Sequence, residues 1–279
     1  MTQSKGRAFW GADTVMTPAA ASIHDAAAMG NPYDNAPIDL TIFVSCYNEA
    51  PFIIRTIEGI CESAKEVGLS FEILVIDDVS TDNSRELVHG YIAAHPDERI
   101  VLRTNHQNKG LAQNYLDAAF IGRGKYFRLV CGDSAEPREG TVAVLRAIGT
   151  ADCILPYYTS NQGRSAGRRV ISNTYTAVIN AITGNKIRYY NGLAVHLRHN
   201  VMRWHTNTGG FGFQADILCL LLDRGFTYLE VPMELPAAAF ARQDEKSSAV
   251  SLRNVLSVAH TILEIASRRI ARFVYSKRW

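Results

Sequence analysis

Two carboxylates side by side repel, and the sequence sets such a pair, Asp77 and Asp78, at the end of the apolar run 71–76. Hydrogen bonds to the base or ribose of a ligand, or a nearby cation, are the usual reasons to keep them together. Helix capping accounts equally well for Asn48, Asp78 and Asp82, because Asn and Asp satisfy the open amides of a first helical turn. It does not account for Asp77 beside Asp78. Polar clusters close two other apolar runs, Ser45-Cys46-Tyr47-Asn48-Glu49 and Cys131-Gly132-Asp133. Ligands of open parallel sheets bind beyond the carboxyl ends of the strands, so the three clusters would share one rim.

A second set of residues suits phosphate. Arg164, Arg168, Arg169, Arg242 and Lys246 fall on segments expected to be loops. Guanidinium pairs bidentately with oxyanions, although surface arginines are most often simply solvated.

The elements that must position these groups follow from hydrophobic period. Strand 40–44 is followed by Asn48 and Pro51, which start a helix with Ile53, Ile57, Ile60, Cys61 and Ala64 along one face. Strand 71–76 precedes a helix opened by Ser80-Thr81-Asp82; strand 100–103 and helix 111–120 come next, then strand 126–131. A parallel neighbour cannot be reached by a hairpin, so strands alternating with helices require right-handed crossovers. The first half therefore reads as a doubly wound α/β layer. Further on, strand 152–157, helix 170–182, helix 214–222 and strand 226–231 are expected. A long amphipathic helix, 252–274, carries Leu252, Val255, Leu256, Ala259, Ile262, Leu263, Ala266, Ile270 and Phe273 on one stripe.

The 279 residues suffice for one large α/β domain with tails. Apolar residues at 47% and charged residues at 20% are those of a folded protein, and a net charge of +2 gives no electrostatic footprint for nucleic acid. Five cysteines without paired spacing point to a reducing, cytoplasmic compartment. No segment has the pattern of a secretion signal or a membrane span, and 1–38 reads as a poorly structured lead-in.

Taken in order, Thr41-Ile-Phe-Val-Ser-Cys-Tyr-Asn-Glu, Ile73-Leu-Val-Ile-Asp-Asp-Val-Ser-Thr-Asp, Asn108-Lys-Gly and the strand ending in Asp133 resemble the signature of family 2 glycosyltransferases. The resemblance implies a GT-A, Rossmann-like α/β fold: a mostly parallel sheet flanked by helices, with a nucleotide half over 39–137, an acceptor half over 138–247 and the C-terminal amphipathic helix over 248–279. By the same resemblance Tyr47, Glu49, Asp77, Asp78 and Lys109 take the nucleotide of a UDP- or GDP-sugar, and Asp133 its diphosphate through a divalent cation, Mg²⁺ or Mn²⁺. The second half is most similar to the polyprenyl-phosphate or dolichyl-phosphate mannose or glucose synthase branch. There Arg168 looks like the acceptor-loop arginine, Arg188 like a second basic site, and Arg242 with Lys246 like the closing phosphate loop. Asp216 stands where the family usually places an acidic residue near the acceptor; it would serve as base for a hydroxyl acceptor, whereas an ionised lipid phosphate needs none.

This chain departs from the family at the metal motif, where Asp-x-Asp is replaced by Cys131-Gly132-Asp133 and a following oxygen ligand by Ala135. Hard cations prefer oxygen, so Cys131 reads as the last residue of its strand rather than a ligand. Three arrangements stay open: Asp133 with the donor diphosphate holds the metal, Glu136 substitutes, or Arg168, Arg242 and Lys246 stabilise the leaving group instead. The acceptor is expected to be lipid-linked, with a saccharide or small-metabolite hydroxyl, or a non-catalytic nucleotide-sugar binding protein, as the alternatives. The C-terminal helix has two readings: a helix that covers its own domain, or one whose basic end, Arg268, Arg269, Arg272, Lys277 and Arg278, with Trp279, makes peripheral contact with the cytoplasmic face of a membrane.

Overall fold

The computed structural model describes residues 37–159, 165–204, 210, 212–234 and 252–275, with side chains of the last segment from 255 onward. Strand β1 (Ile38–Cys46) is buried on both faces: Leu40, Ile42 and Val44 enter one apolar cluster, and Phe43 enters the other. A continuous apolar run of this kind belongs in the middle of a sheet covered by helices on both sides. Helix α1 (Ile53–Val67) buries Ile53, Ile57, Ile60, Cys61 and Ala64, the face expected from the sequence, and stops at Gly68, whose φ of 78° lets its amide reach back to the Ala64 and Lys65 carbonyls.

The order then runs β2 (Phe71–Asp77), α2 (Ser84–Ala94), β3 (Ile100–Thr104), α3 (Leu111–Ile121), β4 (Gly124–Cys131), α4 (Arg138–Arg146), β5 (Cys153–Tyr158), α5 (Ala166–Thr183), β6 (Val195–Leu197), α6 (Arg198–Met202), α7 (Phe213–Asp223), β7 (Tyr228–Met233) and α8 (Leu252–Tyr275). The seven strands form one sheet in the order β3-β2-β1-β4-β6-β5-β7. All neighbours are parallel except β6, which runs against both β4 and β5. The mostly parallel GT-A-like architecture is thus present. Helix α4 and the short pair β6 and α6 add to the elements expected from sequence. One apolar cluster lies between the sheet and α1, α2 and α4; the other lies under α3, α5, α7 and α8.

Helix α8 differs from its sequence-based description. Thr261 and Ile265 are its buried residues, with Val258 and Ile262 partly buried beside them, while Leu256, Leu263 and Ile270 of the expected packing stripe point outward. Three of the arginines that one of the two readings set against a leaflet meet carboxylates of the protein instead. Arg268 pairs with Asp216, and Arg269 and Arg272 reach Asp223 at 2.6 and 3.7 Å, both acids lying on α7. The period revealed an amphipathic helix, but hydropathy alone could not say that buried carboxylates would draw the charged side inward. The lead-in 1–36, Arg164, Arg242, Lys246, Lys277, Arg278 and Trp279 lie outside the described residues.

Candidate active site

The carboxyl ends of β1, β2 and β4 meet because the register pairs Cys46 with Asp77 and Ser45 with Cys131. Their turns are stitched together. Asn48 Oδ1 accepts the Thr81 amide at 2.8 Å and the Asp82 amide at 3.3 Å, Glu49 N donates to Ser84 Oγ at 3.0 Å, and Ala50 N donates to Asp82 Oδ2 at 3.0 Å. On the other side, Gly132 N donates to the Ser45 carbonyl at 3.0 Å. A Cβ on Gly132 would lie 2.7 Å from that carbonyl and 3.1 Å from Glu49 Cγ, so glycine is what permits the third turn to approach the first. Tyr47 stands on this rim with 54% of its surface exposed, an aromatic face open to a planar ligand.

Backbone strain concentrates in the same place. Among the described residues, the non-glycine positions with positive φ are Asn48 (57°), Val79 (71°) and Ser134 (50°), one in each of the three rim turns. Asn tolerates this region, but a β-branched Val does so only when its surroundings force it. Such strain gathers at ligand sites, where neighbouring contacts hold a shape the chain would not choose.

The paired aspartates have internal partners. Asp77 is fully buried; its oxygens accept the Ser80 amide at 3.3 and 3.2 Å, and Arg85 Nε lies 3.6 Å away. Asp78 accepts from Asn105 Nδ2 at 2.8 Å and from the amides of Lys109 and Gly110, each at 2.9 Å. Burial works to raise the Asp78 pKa, but these donors outweigh it and hold the carboxyl below its ordinary value. Each aspartate thus shapes a different turn. Lys109 contributes its amide here, while its ammonium sits 2.6 Å from Asp117 on α3.

Asp133 is half-buried on the β4 turn and accepts the Ala135 amide at 3.1 Å. Burial, then the Asp133 and Glu136 charges, push the neighbouring Cys131 thiol well above its usual range. A thiol is moreover a soft donor, poorly matched to a hard cation such as Mg²⁺ or Mn²⁺. Glu136 is withdrawn: Arg128, itself buried in β4, grips both its oxygens at 3.0 and 2.8 Å. Substitution of Glu136 for the missing ligand is thereby corrected. Among the described residues no three His, Cys, Asp or Glu side chains converge as a metal cage. The donor set fits a cation only as one hard carboxylate, Asp133, supplemented by phosphate oxygens from a ligand, an arrangement that suits Mg²⁺ or Mn²⁺.

In the second half of the chain, Arg188 N donates to Glu230 Oε1 at 2.7 Å, and its guanidinium donates to Tyr157 Oη at 2.6 Å while lying 4.7 Å from the centroid of that ring. Arg168 is half-buried in the first turn of α5. Asp216 does not face solvent. Trp204 Nε1 donates to one oxygen at 2.9 Å, Arg268 takes the other, and the side chain is fully buried, which is the setting of a structural carboxylate rather than of a base that must reach a hydroxyl. Sequence reasoning passed over Arg128, Asn105 and Asn114, whose Oδ1 accepts from Asn105 Nδ2 at 2.8 Å. A lone arginine inside the apolar segment Tyr126-Phe-Arg-Leu-Val was the available signal for a buried ion pair.

Residues 41–207 match the sequence profile of Glycosyl transferase family 2. A dolichyl-phosphate beta-glucosyltransferase of Dictyostelium discoideum is 34% identical over 110 residues, covering 38% of this chain and 33% of that protein. The chain therefore matches about a third of the length of that relative. Among solved structures, mannosyl-3-phosphoglycerate synthase from Rubrobacter xylanophilus superposes with a TM-score of 0.60 at 14% identity, over 84% of this chain and 74% of that one. Glucosyl-3-phosphoglycerate synthase from Mycobacterium tuberculosis, in complex with Mn²⁺, UDP and glucosyl-3-phosphoglycerate, does so at 0.58 and 16%, over 84% and 81%. At these identities the likeness is one of fold.

Proposed function

We propose, from the premise that the chain belongs to glycosyl transferase family 2, that it moves a sugar from a nucleotide donor onto the ionised phosphate of a lipid-linked acceptor, with inversion at the anomeric carbon. The observation that carries the acceptor class is the burial of Asp216 between Trp204 and Arg268. With that carboxylate engaged, a reaction that needs no proton removed is the one the site serves best. The dolichyl-phosphate relative supports the same class.

In this reading Tyr47 covers the base, and Glu49 with the turns shaped by Asp77, Asp78 and the Lys109 amide encloses the ribose. A phosphate oxygen of the acceptor attacks the anomeric carbon, and the bond from that carbon to the donor diphosphate breaks with its electron pair leaving on the nucleotide. No proton changes hands. A divalent cation, held by Asp133 and the donor diphosphate, would neutralise the charge that develops on the leaving group. Arg168 and Arg188, with Arg242 and Lys246 from the segment outside the described residues, supply positive charge for the acceptor phosphate.

The test is turnover of radiolabelled UDP- and GDP-sugars, with and without Mn²⁺, on a polyprenyl phosphate and on saccharide acceptors. Product on the phosphate supports the reading. Product only on a saccharide hydroxyl overturns the acceptor class, and nucleotide binding with no product on either overturns the transferase reading.

A further inference from the structure

Helix α8 is fastened to the protein along one side. Its Thr261 and Ile265 are buried, Arg268 meets Asp216, Arg269 and Arg272 meet Asp223, and a Cβ at Gly212, where α7 opens, would collide with Thr261. The opposite side carries Leu256, Leu263 and Ile270, seven residues apart and 60, 67 and 65% exposed. Three residues after each stands Ala259, Ala266 or Phe273; Ala259 and Phe273 are exposed and Ala266 is half-buried. Spacings of seven and three put all six on one seam, the a and d positions of a heptad.

The sizes along this seam complement themselves when the helix is turned end for end. About a point between Glu264 and Ile265, Leu263 comes opposite the partner's Ala266, Ile270 opposite the partner's Ala259, and Leu256 opposite the partner's Phe273. At the inner levels a bulky side chain thus meets a small one, as interdigitating layers require, and a two-fold rotation makes each contact twice. A parallel pair would instead set each alanine against its own copy and leave gaps there.

We propose that a second copy of this chain covers the outer face of α8, the two helices packing antiparallel across a two-fold axis near Glu264 and Ile265. Charge does not oppose the contact. His260 Nε2 lies 3.7 Å from Glu264 Oε1 on one border of the seam, and Arg272 on the other border lies 3.7 Å from Asp223, so the ionisable groups flank the row rather than interrupt it. At about 1.5 Å per residue, 255–275 offers a contact about 30 Å long, and the neighbouring outer face of α5, with Val170 and Ile171 exposed, widens it toward the roughly 800 Å² per partner of a stable dimer. A lipid surface, by contrast, asks only for apolar bulk and gains nothing from alanines between the large residues.

The experiment is sedimentation of the full chain without donor or acceptor, so that its outcome is independent of the transfer reaction. The parent should sediment as two chains, and Leu263→Glu with Ile270→Glu should weaken association at least about a hundredfold with the circular dichroism unchanged. If the glutamates disturb folding, Ala259→Leu with Ala266→Leu makes the comparison without charge: it adds apolar surface yet should favour the monomer, because it overfills the small positions. Under mild oxidation a Leu256→Cys chain should cross-link to a Phe273→Cys chain through these residues, and neither should do so to its own copy. A chain that stays monomeric up to about 100 µM, whether or not it floats with phospholipid vesicles, overturns the proposal. So does a dimer that the glutamates leave intact or the leucines strengthen, and so does Leu256→Cys linked to itself. A dimer that forms only after residues 1–36 are deleted overturns it as well, because that segment would then be the cover.

Discussion

Behind the Asp133 turn, Arg128 holds both oxygens of Glu136 at 3.0 and 2.8 Å, with the arginine almost wholly buried. The pair fixes the end of β4 to the start of α4 and so sets where Asp133 stands. Glu136→Ala should lower stability by about 3–5 kcal/mol, because it leaves a buried guanidinium uncompensated. Urea unfolding measures this; a change below about 1 kcal/mol would show that Arg128 finds another partner.

Asp133→Ala should abolish transfer with the fold intact. Cys131→Ser should change transfer little, whereas Cys131→Asp should strengthen Mn²⁺ dependence by restoring an oxygen ligand. Initial rates across a Mn²⁺ titration distinguish the three variants. Rates indifferent both to chelator and to Asp133→Ala would assign the leaving group to the basic residues.

Asp78 accepts from Asn105 and from two amides, which an asparagine can match only in part. Asp78→Asn should cost about 1.5–3 kcal/mol at neutral pH. The folded pKa lies below the unfolded one, so the carboxylate stabilises above about pH 4 and that stability disappears as pH falls through the folded value. Parent and variant unfolding curves should therefore converge in acid. A gap that stays constant from pH 7 to pH 3 would contradict this.

His196 on β6 is buried, and burial alone lowers its pKa to about 4. The unfolded chain takes up the proton first, near pH 6.5, so stability should fall by up to about 3 kcal/mol between pH 6.5 and 4 and lose nothing more to this group below that. His196→Gln should flatten this part of the profile. Denaturant midpoints at several pH values provide the check.

If Asp216 joins α7 to α8 rather than removing a proton, Asp216→Asn and Arg268→Ala should each lower stability by about 2–3 kcal/mol, somewhat less than for a fully buried pair because Arg268 keeps some solvent contact. Transfer per folded molecule should change by less than about tenfold, well short of the roughly 10²–10⁴-fold that loss of a general base costs. A loss of turnover by several orders of magnitude at unchanged midpoint would restore Asp216 as the base.

Much of the first half of the fold was legible in the sequence, because buried parallel strands leave continuous apolar runs such as Ile42-Phe43-Val44 and their helices repeat every three or four residues. Strand β6 left no such trace: Val195-His-Leu is too short to carry a period, and its antiparallel direction is decided by β4 and β5 on either side. The rim itself followed from strand ends. What each acid does there did not, since a carboxylate that caps a turn and one that binds a ligand occupy the same kind of position. Asp216 shows the limit most clearly, for its partners Trp204 and Arg268 come from opposite sides along the chain, one 12 and the other 52 residues away.

The positive φ values at Asn48, Val79 and Ser134 bear on how this protein could evolve or be engineered for heat. Glycine at Val79 would release about 1–3 kcal/mol of conformational strain, against about 0.4–1 kcal/mol lost to a freer unfolded chain. Selection for thermal resistance alone would therefore be drawn toward replacements at the Val79 turn. The same replacements would let the rim relax, so survivors of a heat screen carrying them should be sturdier proteins with a blunted site, and lineages that keep their activity must find their stability elsewhere.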